Sequence, residues 1–143
     1  MEADAQTEAE VMAVLNKLAE SYTNRDWESL RAVLAPDPDV FMFGTQADEK
    51  RIGLAEIKAQ AERDWSQTEA GSIDYGWNSV SAAGDIAWVA SDVVFKATVE
   101  GQELTLPGRL TVVLEKRGGQ WLILQSHFSF PAPGQEGESF PSG

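Results

Sequence analysis

The segment that decides the fold runs from Leu104 to Phe130 and reads LTLPGRLTVVLEKRGGQWLILQSHFSF. Two runs rich in β-branched, aliphatic and aromatic residues flank the pair Gly118-Gly119. Such residues favour strands, and a glycine pair between two such runs favours the two-residue turn of an antiparallel hairpin. The segment therefore predicts two long paired strands, over residues 104–117 and 121–130.

Two further turn signals lie upstream of this hairpin, at Ala83-Gly84-Asp85 and Glu100-Gly101-Gln102. The residues before and between them are again strand formers. Their spacing predicts strands over residues 72–83 and 86–99. Together with the hairpin, these strands form an antiparallel meander of four.

The first half of the chain has helical periodicity instead. One apolar stripe in steps of four, three and four is formed by Val11, Leu15, Leu18 and Tyr22. Thr7 and Glu10 match a capping box at the start of this helix, and Asp26 suits the N-cap of a second. Gly53 precedes a third helix, and the compact apolar run at residues 40–44 predicts a short buried strand.

This segregated order, helices first and long strands after, is typical of an α+β fold. We predict three N-terminal helices packed on one face of a strongly curved antiparallel sheet. Helices cover only part of a concave sheet face, so a pocket is expected in the space that remains.

The chain has 143 residues, no cysteine and a net charge of −12. We predict a flexible N-terminus over residues 1–6, one domain over 7–131 and a flexible tail over 132–143. Without cysteine there is no disulfide framework and no thiolate zinc site. The acidic balance argues against nucleic acid as a partner, because phosphate binding needs a basic stripe.

A secretory signal needs a positively charged start followed by an apolar run, and the opening residues Met1 to Asp4 do not match this pattern. No stretch approaches the roughly 18 apolar residues that span a bilayer. We therefore expect a cytoplasmic protein with no membrane partner.

Several motifs resemble the SnoaL-like branch of the nuclear transport factor two superfamily. They are Asn24-Arg25-Asp26-Trp27, Gly53, the run from Gly84 to Val89, Gly108-Arg109-Leu110-Thr111, the run from Gly118 to Ile123, and Ser126-His127-Phe128-Ser129. The resemblance covers about residues 7–131 and implies a cone-shaped α+β barrel, in many relatives a dimer formed sheet against sheet. The superfamily includes isomerases, cyclases, dehydratases, epoxide hydrolases and members without known activity, so the resemblance leaves the activity open.

Strand parity decides which side chains face the pocket, because successive side chains point to opposite faces. A two-residue turn at Gly118-Gly119 places Leu114 opposite Ile123 and Leu110 opposite His127. The predicted core-facing set of the last strand is Trp121, Ile123, Gln125, His127 and Ser129. A single bulge would reverse such an assignment.

Asp92 and Arg109 are predicted to lie on the outer face of the sheet, since their neighbours in the strands are more uniformly apolar on the other face. Trp88, Val94 and Thr111 would share that outer face as an apolar patch too large to leave in water. We therefore expect a symmetric homodimer through the outer sheet face.

His127 is the only histidine and the candidate catalytic residue, because histidine exchanges a proton near neutral pH. Tyr22, on the inward stripe of the first helix, is expected to assist it. The residues expected to line the ligand site are Phe41, Trp65, Trp77, Gln125 and Ser129. The alternative for His127 is a structural role, with hydrogen bonds inside the sheet. One histidine without an HxxE or HxH pattern predicts no metal site, and no cofactor is expected.

These features favour a small-molecule-binding protein with acid–base chemistry of the isomerase, lyase or hydrolase kind on an apolar ligand. One alternative is a non-catalytic dimeric association module whose pocket is vestigial. Another is a cyclase-type enzyme that uses Asp92 or Arg109, which requires the opposite strand register.

Overall fold

The computed structural model of the protein describes residues 1–140. Its helices are α1 (Ala5–Thr23), α2 (Trp27–Arg31) and α3 (Leu54–Gln67). Its strands are β1 (Phe41–Phe43), β2 (Lys50–Ile52), β3 (Ala70–Ala83), β4 (Ile86–Val99), β5 (Gln102–Arg117) and β6 (Gln120–Ser129). The predicted α+β class is confirmed, and each bound of the four long strands agrees with the prediction within two residues.

The six strands form one curved sheet in the order β2-β1-β6-β5-β4-β3. All neighbours are antiparallel except β1 and β6, which run parallel. The short β1–β2 hairpin extends the meander beyond β6, at the edge of the sheet opposite β3.

The core lies between α1 and the concave face of the sheet. Val11 and Leu15 of α1 are fully buried. On the sheet, Leu110 and Leu114 of β5 and Val93 of β4 are at most 1% exposed. Burial of each such side chain contributes about 1.5–3 kcal/mol to the hydrophobic free energy of folding. This packing holds α1 against the long strands, and α3 packs against β2 and α2.

The start of α1 differs from the prediction, because its N-cap is Asp4 and not Thr7. The Asp4 side chain accepts a hydrogen bond of 2.7 Å from the backbone N–H of Thr7. The preceding residues run along β3, where the N–H of Ala82 donates to the Met1 carbonyl at 2.9 Å. The flexibility predicted for residues 1–6 and for the tail stays a prediction, and residues 141–143 lie outside the described residues.

The hairpin between β5 and β6 has the predicted turn. Gly118 and Gly119 have φ angles of 55° and 83°, the left-handed values that a tight hairpin turn requires at both positions. Leu114 pairs with Ile123 as predicted.

Beyond that pair the predicted register is wrong, because β6 has one extra residue, Leu124. Val113 pairs with Gln125, and Leu110 pairs with Phe128 instead of His127. The bulge reverses the two faces of β6 from Gln125 onward, since side chains alternate along a strand.

No helix within residues 1–140 combines the length and apolar character needed to span a bilayer.

Candidate functional site

A cavity of about 300 Å³ lies between the helices and the concave face of the sheet. Most of its wall is apolar, with Leu18 of α1, Ile57 of α3 and Ile73 of β3 among the lining residues. Phe95, Phe128 and Phe130 close one side, with ring centroids 5.7 and 5.5 Å apart in edge-to-face pairs around Phe95. A volume and a lining of this kind are typical of small-molecule sites.

Helix α3 supplies the polar groups of the cavity. Ile57, Gln60, Ala61 and Asp64 recur at helical spacing, so all four fall on the face that α3 turns toward the sheet. Gln60 is buried despite its amide group. A buried amide needs hydrogen-bond partners, and those partners organise the site.

Asp64 is the centre of a hydrogen-bond network. The Tyr22 hydroxyl donates to Asp64 Oδ2 at 2.9 Å, and Gln60 Nε2 donates to Asp64 Oδ1 at 2.7 Å. Arg51 Nε in turn donates to Gln60 Oε1 at 3.0 Å. Both oxygens of Asp64 are therefore occupied, and the network holds the carboxyl group and the Tyr22 ring in place.

Glu49 is the second acidic group in the cavity wall, and its side chain is only 9% exposed. Its Oε2 accepts a hydrogen bond of 3.1 Å from the Gln46 N–H and lies 3.5 Å from an Arg63 guanidinium nitrogen. Gly44 packs so closely that a Cβ there would lie 2.8 Å from the Glu49 Cβ. Glycine at position 44 thus gives Glu49 its place beside the cavity.

Burial governs the acid–base properties of this site. It raises the pKa of Glu49 above its ordinary value, and the negative charge of Asp64 adds to the shift. It also raises the pKa of the Tyr22 hydroxyl, again with the charge and hydrogen bond of Asp64 adding to the shift. Tyr22 therefore keeps its proton and acts as a hydrogen-bond donor.

Of the predicted site residues, Tyr22 lines the cavity. Phe41 borders it, but the Phe41 ring packs edge-to-face on Phe43, with 4.7 Å between the ring centroids. Trp65 lies directly behind Tyr22, with ring centroids 6.2 Å apart and its indole N–H donating to the Tyr22 carbonyl at 3.0 Å. Trp65 therefore supports Tyr22 rather than lining the cavity. Trp77 lies in a bulge of β3 and is 65% exposed, so its predicted place near the pocket is wrong.

His127, Gln125 and Ser129 do not line the cavity, so the positions predicted for them are wrong. The bulge at Leu124 turns all three to the outer face, where His127 pairs with Thr111 and packs 5.0 Å from the Phe43 ring. Ser126 and Phe128 take the cavity-facing positions instead.

Asp92 and Arg109 are cross-strand partners on the outer face, as predicted. Asp92 is exposed, and neither residue belongs to the cavity wall. The cyclase alternative required one of them to face the pocket, and the register contradicts that requirement.

Three residues of the site, Asp64, Gln60 and Glu49, are absent from the set predicted from the sequence. The first two had a detectable signal, because they lie three residues after Ala61 and Ile57 within the helical stripe of α3. Polar residues inside an apolar stripe indicate a buried polar site. Glu49 had no such signal, since only tertiary packing distinguishes it from the exposed neighbour Asp48. Residues 1–140 contain no group of three or more His, Asp or Glu side chains arranged to hold a metal ion.

The profile of the SnoaL-like domain family matches residues 11–133. The chain therefore belongs to the SnoaL-like family. A comparison with curated protein sequences finds no significant match.

Solved structures share this fold at low sequence identity. A nuclear transport factor 2-like superfamily protein from Salmonella enterica is 19% identical, with a TM-score of 0.84 over 96% of this chain and 100% of the other. A candidate dehydratase of the NTF2-like family from Streptomyces avermitilis is 17% identical, with a TM-score of 0.80 over 90% and 99%. A candidate calcium/calmodulin dependent protein kinase II association domain from Xanthomonas campestris is 24% identical, with a TM-score of 0.77 over 87% of each chain.

Proposed function

We propose that the protein binds a small, largely apolar molecule in the cavity between the helices and the sheet, with the polar end of that molecule at Glu49 and Asp64. The observation that carries the proposal is the pairing of an apolar chamber of about 300 Å³ with two interacting carboxyl groups in its wall. A few convergent polar groups in an apolar pocket are typical of a ligand site.

The two carboxyl groups suit acid–base chemistry of the isomerase, lyase or hydrolase kind. Glu49 has a pKa raised by burial, which moves its proton exchange toward neutral pH, where a general acid or base works best. Asp64 is held by Tyr22 and Gln60, so it offers a fixed charge beside Glu49. The likeness to a candidate dehydratase from Streptomyces avermitilis supports a lyase among these classes.

A cavity-filling variant tests binding. Ala61 is buried in the cavity wall, so Ala61→Phe should occupy the chamber and weaken binding of the neutral dye N-phenylnaphthylamine by about tenfold or more. The measurement is fluorescence titration of the dye against wild type and variant.

Ala59→Phe is the matched control, since Ala59 is an exposed residue on the same helix. It should bind the dye like wild type. Equal affinity of wild type and Ala61→Phe, with both folded by circular dichroism, would show that the dye binds elsewhere and would contradict the proposal.

A homodimer through the outer sheet face is also proposed. The support is the exposed Phe43 beside His127, together with the half-buried Trp88 and Val94 on the same face. A dimer without any bound molecule would favour the association-module alternative.

A further inference from the structure

The charges in the cavity wall are unequal. Within residues 1–140, its charged groups are two carboxyl groups, Glu49 and Asp64, and one guanidinium, Arg63. Arg63 is already engaged, at 2.8 and 3.3 Å from the carboxylate of Asp48 and at 3.5 Å from Glu49. An anionic group that enters the cavity would therefore meet negative charge and no available cation.

One of the two carboxyl groups still has an open position for a hydrogen bond. Both oxygens of Asp64 accept hydrogen bonds within the network, and Glu49 Oε2 accepts from Gln46. Glu49 Oε1 accepts none from residues 1–140, although the side chain is nine-tenths buried. Oε1 lies against Gly44, and since no fully buried side-chain N or O atom within residues 1–140 lacks a partner, Oε1 keeps some accessible surface. The free position is an acceptor, and it suits a ligand that donates.

We infer that the molecule bound in this cavity ends in a hydrogen-bond donor, a protonated amine in preference to a hydroxyl, and that the cavity discriminates against the same skeleton ending in a carboxylate. The inference rests on the proposed function, since it names the ligand class of the same site. A cation can leave water for this site because Glu49 would pair with it and accept its hydrogen bond. The rings of Phe95, Phe128 and Phe130 would hold the apolar skeleton.

The preference for an amine should depend on pH through Glu49. The charged groups around Glu49 are Asp64 and Arg63 of α3 and the adjacent Asp48, and the Tyr22 hydroxyl faces it from α1. Protonation of Glu49 removes the charge that pairs with the amine, while the amine itself stays protonated. Affinity for the amine should therefore fall on acidification, and affinity for a neutral alcohol should not.

The experiment compares three probes of one skeleton, naphthylethylamine, naphthylethanol and naphthylacetate, by calorimetric titration of the full chain. We expect the amine to bind at least about tenfold more tightly than the carboxylate at neutral pH, because a buried charge needs an opposite partner. Glu49→Gln keeps the shape and an acceptor for Gln46, and it should lower amine affinity about tenfold while changing alcohol affinity less than about twofold.

Glu62→Gln is the matched control, because it removes one carboxylate from an exposed position on α3. It should leave the order of the three probes unchanged. The pH series on the wild type needs no variant and tests the same pairing.

The outcomes separate the two proposals. If the alcohol binds but the amine binds no better than the carboxylate, the ligand class is wrong and the binding function stands. The same holds if Glu49→Gln leaves the ratio of amine to alcohol affinity unchanged. If none of the three probes and no neutral dye binds, the binding function itself is overturned, and the ligand class with it.

Discussion

The Glu49 carboxyl group lies in the cavity wall with its side chain 9% exposed, and burial there raises its pKa above the ordinary value of 4.5. Between 4.5 and the raised value, the native state binds more protons than the unfolded state. The free energy of unfolding therefore falls as the pH rises through this window. Above the window, the destabilisation from the buried, ionised Glu49 carboxylate is fully present.

Replacing Glu49 by Gln removes this cost, because the amide does not ionise. We expect the difference in the midpoint of thermal unfolding, Glu49→Gln minus wild type, to be more positive at about pH 8 than at about pH 4. Circular dichroism melts at the two pH values measure it. Glu62→Gln, at an exposed position, should give the same difference from wild type at both pH values. A pH-independent difference for Glu49→Gln would show that Glu49 titrates like an exposed acid.

At the scale of elements, α3 is held in place by Arg25 from the loop between α1 and α2. Arg25 adopts a left-handed φ of 55°, and its guanidinium donates to the Trp65 carbonyl and, at 2.7 Å, to the Thr68 carbonyl. The last carbonyls of a helix lack intrahelical partners, so Arg25 satisfies groups that would otherwise need water. It also fixes the end of the helix that carries Asp64.

Replacing Arg25 by Met should lower the free energy of unfolding by about 2 kcal/mol, because hydrogen bonds from a charged group to carbonyls are lost. Arg31→Met is the matched control, since the one partner of Arg31 among the described residues 1–140 is the exposed Glu28, and it should cost about 0.5 kcal/mol or less. Urea unfolding of the two variants measures both values. Equal losses would mean that Arg25 contributes no more than a surface ion pair.

The elements themselves followed from local patterns, but the site did not. Turn pairs such as Gly118-Gly119 and the apolar stripe of α1 are local signals, so the strands and helices could be predicted within a few residues. The bulge at Leu124 has no such signal, because Leu, Ile and Leu follow one another there and suit either face. One extra residue moved His127 from the predicted pocket to the outer face. The assignment of the site therefore depended on register, which tertiary packing decides.

At the scale of the whole molecule, the outer face of the sheet combines apolar side chains with a strongly acidic protein. Trp88 and Val94 lie on this face with the exposed Thr111 near its centre, and each chain carries a net charge of −12. Burial of the patch favours a sheet-to-sheet dimer, whereas repulsion between two acidic chains opposes it. Added salt screens the repulsion and leaves the apolar contact intact.

We therefore expect sedimentation equilibrium to give a species of twice 15.6 kDa, with a dimer affinity that increases with salt concentration. Thr111→Asp places a charge in the middle of the patch and should shift the protein to the monomer, because an interface would have to bury that charge unpaired. Ala59→Asp adds the same charge on the exposed side of α3 and should leave the dimer intact. A monomer for the wild type at every salt concentration would rule out this face as a self-association surface. The exposed Phe43 and its neighbours would then need a different partner, because an apolar patch of this kind is rarely left in water.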